Sequence, residues 1–384
     1  MKDKTFLMIP GPTPVPESAL LAMAKQPIGH RSPEFSAILK EVFSDLKWLF
    51  QTQEDVFLFT SSGTGAMEAA IYNLVNQGDK VLSLIIGNFG ERWAKIAESK
   101  GAVVEKIEAE WGQAIDPDVL KKRLDEDVNI EVKVVTLTHN ETSTGVTNDV
   151  KALNDIIQAH GAVSVVDGIT SVGAIPLMMD EWGIDVVVSG SQKGFMIPPG
   201  LAFLACSKKA WKLYEQCKYP SFYFNFGAYK KNVEKDTTPY TPAVSLIIAL
   251  HETLKMMKQE GLDEIYLRHA RLANGLRAAI RVIGLKLFVE DDSISSNAIT
   301  SILPPDGITV AELRKTLKND FDLVVADGQG QLKGKIFRMG HLGFVSERDM
   351  IAAVGSLEMA LDKLGYKFNR GAGTEALIRT MMEL

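Results

Sequence analysis

Short apolar runs alternate with longer amphipathic stretches from about residue 55 to residue 207. The runs at 56–60, 80–86, 103–107, 132–138, 164–166, 185–188 and 201–206 predict β-strands. Between them, 91–100, 118–124 and 150–160 read as helices. Two of these stop at Gly101 and Gly161, which supply a left-handed C-terminal cap. Strands that alternate with helices need crossover connections, so the pattern predicts a mainly parallel α/β sheet with helices on both faces. The unbroken apolar string Val134-Val135-Thr136-Leu137 fits a strand buried on both sides.

Beyond Cys206 the pattern changes. Residues 215–242 are rich in aromatics, Asn, Thr and Pro and show weak periodicity, which marks a functional or interfacial segment. Two long helices are predicted at 243–259 and 262–283. In the first, Leu246, Ile247, Leu250, Leu254 and Met257 form a stripe that faces a core. The remainder reads as a smaller α/β unit, with strands at 285–289, 298–303 and 335–338 and helices at 310–319 and 347–364. The expected division is a large domain at 15–255 and a small C-terminal domain at 256–384 joined by 1–14.

Composition narrows the function. With 384 residues, about two or three domains are expected and no metal or disulfide staple is needed for folding. The chain has 42 Lys and Arg against 48 Asp and Glu, a net charge of −6, which argues against nucleic acid as a partner. Its two cysteines, Cys206 and Cys217, cannot build an iron–sulfur cluster or a Cys-rich zinc site, so no metal is expected. Pro10, Gly11 and Pro12 cut short the first apolar run, which argues against a signal peptide, and no run of some eighteen apolar residues predicts a membrane span. A cytoplasmic protein is the expectation.

Three elements could carry chemistry. Thr60-Ser61-Ser62-Gly63-Thr64-Gly65 follows a strand and opens a helix, where bare N–H groups and hydroxyls attract an anion. It matches neither a GxGxxG fingerprint nor a P-loop, and a Ser/Thr cap with a tight turn explains it equally well. Ser189-Gly190-Ser191-Gln192-Lys193-Gly194 lies just past a strand, at the edge where α/β sheets bind ligands. Lysines are usually solvated; one in an apolar, Gly-rich pocket has a lowered pKa and can act as a Schiff-base nucleophile. Asp167 ends another strand, where it either caps a helix or pairs with a protonated ring nitrogen. A phosphate cradle, an acid and a lysine in this order are the anchors that pyridoxal 5′-phosphate requires.

The chain resembles the class V (fold-type I) pyridoxal-phosphate-dependent aminotransferases of the alanine–glyoxylate/serine–pyruvate (serine–glyoxylate) group. The resemblance is carried by Pro10-Gly11-Pro12-Thr13, Ser62-Gly63-Thr64, Thr138-His139-Asn140-Glu141-Thr142-Ser143-Thr144-Gly145, Val166-Asp167, Ser189-Gly190-Ser191-Gln192-Lys193 and Phe337-Arg338-Met339-Gly340. It extends to a cyanobacterial-type branch, some of whose members carry a soluble hydrogenase 42 kDa subunit label. Two cysteines lend that label no physical support, because hydrogen activation needs a metal centre.

The resemblance implies a role for each matched position. Lys193 would carry the cofactor as an aldimine and then act as general base, and Asp167 would keep the pyridine nitrogen protonated. Ser62, Gly63, Thr64 and Gln192 would hold the phosphate, Thr142 would lie near the phenolic oxygen, and Phe89 would stack on the ring. Thr241 would contact the phosphate of a second copy, implying a homodimer; Thr238 stands where the family has tyrosine, which Tyr240 could replace. Arg338 would grip the substrate α-carboxylate. The implied activity is ping-pong amino transfer between a small amino acid (alanine, serine or glycine) and a 2-oxo acid such as glyoxylate or pyruvate. Gly29-His30-Arg31-Ser32 adds a cationic pair that an acidic or phosphorylated substrate such as phosphoserine would use, or that supports the N-terminal segment or the dimer contact. A cysteine desulfurase needs a reactive cysteine in the C-terminal domain, but both cysteines precede residue 218. A non-enzymatic subunit conflicts with the presence of Lys193, Asp167 and Arg338, and a nicotinamide dehydrogenase with the lack of GxGxxG.

Overall fold

The computed structural model describes residues 5–383; residues 1–4 and 384, assigned above to the smaller unit, lie outside it. In chain order the strands are β1 (Phe6–Met8), β2 (Val56–Ser61), β3 (Lys80–Ile85), β4 (Val103–Glu108), β5 (Val132–Thr138), β6 (Asn140–Glu141), β7 (Val146–Thr147), β8 (Val163–Asp167), β9 (Val186–Gly190), β10 (Gly200–Cys206), β11 (Ile299–Ile302), β12 (Leu323–Asp327) and β13 (Phe337–Gly340). Seven of them form one sheet in the order β2-β10-β9-β8-β5-β3-β4. Neighbours from β9 to β4 run parallel, as the alternating pattern predicts, while β10 is antiparallel to both β2 and β9. Strands β5, β8, β9 and β10 are almost wholly buried, which accounts for their unbroken apolar runs.

A second sheet has the order β1-β12-β13-β11. It brings the N-terminal strand beside residues more than 300 positions away, with Phe6 level with Leu323. Each sheet has its own apolar core, one around Phe57, Val135 and Val187, the other around Met8, Leu313 and Phe337. Helix Leu262–Ile283 contributes to both, Ile265 to the first and Leu272 and Leu276 to the second.

Two sequence expectations need correction. The strand expected at 285–289 is reduced to a single bridge between Leu287 and Ile302. Its alternation is genuine, since Leu285, Leu287 and Val289 are buried, but its backbone reaches β11 only through the Phe288 N–H on Ser301 O and the Leu303 N–H on Lys286 O. The segment 215–242, for which weak periodicity predicts no helix, contains the helix Phe226–Val233, capped by the Asn225 side chain. Helix Pro33–Phe50 lies ahead of the alternating region. Its signals are local: Pro33 at the first turn, the Ser32 hydroxyl accepting from the Phe35 N–H at 3.2 Å, and Phe35, Leu39, Val42, Leu46 and Leu49 buried at helical spacing. At about 1.5–3 kcal/mol for each such side chain, that face outweighs the ~1 kcal/mol of the cap.

Candidate active site

The C-terminal ends of β2, β3, β5, β8 and β9 open on one edge of the large sheet, and each delivers one part of the site. After β2, helix Gly63–Leu74 begins. Its N-cap residue Ser62 makes no side-chain capping bond, and its first turn carries no acidic residue. The helix start thus retains hydroxyls and N–H groups for an anion. After β3, helix Asn88–Ser99 places Phe89 and Arg92. The Arg92 guanidinium lies 4.6 Å from the Phe89 ring centre, and its Nη1 donates to Thr64 Oγ1 at 3.0 Å.

Beyond β5, the turn at 140–145 carries Glu141 and Thr142. Glu141 is fully buried and accepts from the N–H groups of Phe89 (2.9 Å), Gly90 (3.2 Å) and Ser143 (3.1 Å) and from Ser143 Oγ at 2.5 Å. It therefore caps helix Asn88–Ser99 from outside and fixes Phe89 relative to Thr142. Burial, set against these donors, raises its pKa.

Asp167 closes β8, level with Val188 of the adjacent β9. It is 2% exposed, and its Oδ1 accepts from the Ile169 N–H at 2.8 Å. Burial pushes its pKa up to about 7; the Ile169 N–H and the charges of Arg92 and Lys193 oppose that, and Glu141 adds to it. Past the end of β9 stands Lys193, 8% exposed, with its Nζ donating to the Pro10 carbonyl at 2.6 Å. Burial lowers its pKa to about 8, with Asp167 pulling it up and Arg338 and Arg92 pushing it further down. Gly11 explains how the N-terminal segment comes so close: a Cβ there would stand 2.8 Å from Lys193 Nζ, and its φ of +141° suits glycine.

The small sheet supplies the opposite wall. Arg338 in β13 is 4% exposed. Its Nε donates to Asp327 O at 2.8 Å, and its Nη1 to Thr142 O at 2.6 Å and to Gln329 Oε1 at 3.3 Å. Burial lowers its pKa to about 10, so it stays charged at neutral pH. Gly340, in the same strand, lets the backbone pass, since a Cβ there would meet Ile9 O at 2.2 Å.

One cavity of about 580 Å³ joins the walls. Ser62, Gly63, Thr64, Phe89, Thr142, Gln192, Lys193 and Arg338 all line it, so most of the positions singled out in the sequence converge. Asp167 is not among the lining residues; it is joined to the wall through Ile169, whose N–H it accepts. Thr241 is exposed and does not line the cavity, and Tyr240 donates instead to Phe222 O. Arg31 is tied to Thr237 Oγ1 and Thr238 O, both at 2.6 Å, and neither it nor His30 lines the cavity. Sequence reasoning gave no role to Pro10, Arg92, Glu141, Arg314, Asp327 or Gln329. The motif strings around Pro10 and Glu141 were a signal for those two; the others had none.

The lining fits a phosphorylated aromatic aldehyde. Gln192 Oε1 is buried without a partner, and a half-turn of its amide would present Nε2 as a donor there. That orphaned amide lies near Gly63, as a Cβ added to Gly190 would be 3.2 Å from Gln192 Oε1 and 3.4 Å from Gly63 Cα. An anion at the helix start would satisfy both groups.

These features, a mainly parallel seven-stranded sheet with a lysine past one strand end and an acid at the next, define a fold-type I transaminase. The chain belongs to the class V aminotransferases: the family described as "Aminotransferase class-V" matches residues 6–331. It is 51% identical over 381 residues to a protein of Anabaena cylindrica named "Soluble hydrogenase 42 kDa subunit", covering 99% of each chain. It is 40% identical to the serine–glyoxylate aminotransferase of Hyphomicrobium methylovorum over 96% of this chain and 93% of that one. The ureidoglycine–glyoxylate aminotransferase of Bacillus subtilis superposes with a TM-score of 0.94 at 28% identity, over 100% of this chain and 99% of that one. Among the described residues no helix is long and apolar enough to cross a membrane.

Proposed function

We propose that the cavity binds pyridoxal 5′-phosphate and that the protein moves an amino group from a small amino acid of the serine, alanine or glycine type to a 2-oxo acid such as glyoxylate or pyruvate. The observation that carries this is a buried lysine with a single hydrogen bond, facing a buried arginine across one cavity. The glyoxylate-using relatives support the acceptor. When bound, the cofactor supplies an aldehyde that condenses with amines and a ring that draws electrons from the bond broken at the substrate Cα.

The chain's own residues do the rest. Ser62, Gly63, Thr64 and Gln192 would hold the phosphate, Phe89 would cover one face of the ring, Thr142 would stand by its phenolic oxygen, and Asp167 would hold a proton on its nitrogen. Arg338, already oriented by three acceptors, binds the α-carboxylate through the donors left over. Lys193 would take the proton from the substrate Cα and return it to the cofactor's aldehyde carbon, on the other side of the transferred nitrogen. Its pKa of about 8 suits a group that must both take and return that proton near neutral pH. The two packed cores support a cofactor-binding domain at 15–255 and a smaller domain at 256–384 with 1–14. Thr241, exposed and away from its own cavity, is read as serving a second copy in a cytoplasmic homodimer. The position of Arg31, held on the 237–238 segment, gives no support to phosphoserine as substrate.

A half-reaction screen tests this. Purified holoprotein is mixed with single amino acids while the visible band of the bound cofactor is followed. Serine, alanine or glycine should bleach it, and glyoxylate should restore it. Bleaching by phosphoserine alone would overturn the substrate class.

A further inference from the structure

The small-sheet wall carries two guanidinium groups, although one carboxylate needs only one. Arg338 and Arg314, the latter from helix Val310–Phe321, both line the cavity. Asp327, at the end of β12, also lines it and connects to both. Its Oδ2 lies 3.5 Å from Arg314 Nη1, while its main-chain carbonyl accepts from Arg338 Nε at 2.8 Å. Its Oδ1 accepts from the Gly334 N–H at 2.9 Å, and Arg314 Nε donates to Val325 O at 3.0 Å. Both side chains are thus anchored in the small sheet, independently of any ligand.

Two arginines and one aspartate leave one positive charge, and a single α-carboxylate cancels it. A second carboxylate or a phosphate on the substrate would find Arg314 already paired and would face the Asp327 carboxylate. The Arg314 and Asp327 side chains are 37% and 30% exposed, so solvent screens that repulsion in part, but no remaining cation on this wall offsets it.

We propose that Asp327 is a specificity-determining residue: by pairing with Arg314 it restricts the site to amino acids bearing one carboxylate and an uncharged side chain. The inference rests on the transaminase reading above and sharpens its substrate class. Selection here works by penalising the wrong substrate, not by extra contacts to the right one.

The test compares kcat/KM of the holoenzyme for L-serine and L-aspartate in the wild type, in Asp327→Asn, and in Asp327→Asn combined with Arg314→Gln. The wild type should prefer serine. Asp327→Asn should move the ratio toward aspartate by at least about tenfold, chiefly through KM for aspartate, because Arg314 becomes available. Adding Arg314→Gln should reverse that gain. A wild-type preference for aspartate, or an unmoved ratio in Asp327→Asn, overturns the inference. A binding readout is independent of turnover: the thermal midpoint of cofactor-free protein in succinate or propionate at equal concentration. Succinate should gain an advantage over propionate only in Asp327→Asn, and equal midpoints in that variant count against the proposal. If no amino acid reacts with the wild type, the transaminase reading falls while the succinate comparison still decides the role of Asp327.

Discussion

Lys193 on the large-sheet wall and Arg338 on the small-sheet wall are both buried cations, 8% and 4% exposed, yet they are held in opposite ways. The Lys193 ammonium has one hydrogen bond, to the Pro10 carbonyl, and burial has brought its pKa to about 8. Arg338 has three acceptors from two segments of chain, 327–329 and Thr142, and even its lowered pKa of about 10 leaves it charged. The same contrast holds around them. The large-sheet wall leaves Ser62 uncapping and Gln192 Oε1 unpartnered, whereas Arg314 and Asp327 opposite are anchored to backbone at both ends. A wall that must exchange partners is left under-satisfied, and a wall that must only bind is fixed in advance.

The largest break in this comparison comes from Lys193→Ala. Removing the one exchangeable cation should abolish the visible band of the cofactor-loaded protein and reduce amino transfer by at least about 10³-fold. An unchanged spectrum would refute the role given to Lys193. A smaller effect is expected from Arg338→Lys, which keeps the charge but loses the planar fork. An ammonium has three donors where the guanidinium has five, so satisfying Asp327 O, Thr142 O and Gln329 Oε1 would leave none for the substrate carboxylate, and kcat/KM should fall about 100-fold. Since the large-sheet wall is untouched, the visible band should persist. Loss of the band in Arg338→Lys would show that the two walls are not separable.

The two walls also differ in how far the sequence discloses them. Ser62-Gly63-Thr64 and Gln192-Lys193 are contiguous strings directly after strong apolar strands, so strand end and chemistry are read together. Asp167 is legible for the same reason, although only the combination lifts it above a helix cap. On the small-sheet wall Arg338 is legible through family resemblance alone. Arg314 and Asp327 are not, because their meeting depends on β1, β12 and β13, strands of three to five residues whose pairing spans the whole chain. Short runs such as Leu323-Val324-Val325-Ala326 carry too little periodicity to be separated from a loop. Pro10 is marked by its family motif alone: its carbonyl matters because the chain start crosses to Lys193, a contact that no periodicity encodes. Helix Pro33–Phe50 is a different kind of omission, since its cap, proline and apolar stripe were all readable.

The smallest effect separates the walls by pH in the cofactor-free protein. Asp167 has a folded pKa of about 7, above its usual value near 3.8. It therefore holds a proton that the unfolded chain gives up between those values, and its contribution to stability is lost as pH rises through that window. His269 and His341 behave with the opposite sign. Both are fully buried, with pKa values lowered to about 3, chiefly by burial. His269 ties helix Leu262–Ile283 to the small-sheet side, since its Nε2 accepts from the Gly343 N–H at 3.0 Å; His341 Nε2 meets Thr300 Oγ1 at 2.9 Å. Their stabilisation is present above the unfolded value near 6.5 and is lost as pH falls toward the folded one. Between pH 4 and 6.5 unfolding thus takes up a proton at each of these two histidines and at His139, whose pKa burial lowers to about 4, and releases one at Asp167. Asp167→Asn should make the rise of unfolding free energy with pH steeper by about 1.4 kcal/mol per pH unit, and His341→Gln should make it shallower by a similar amount. Urea unfolding at half-unit pH steps measures both. Equal slopes in the parent and in Asp167→Asn would mean that the acid beneath the large-sheet wall is ionised in the free protein. The contrast between a wall poised to exchange protons and one fixed in charge would then rest on Lys193 alone.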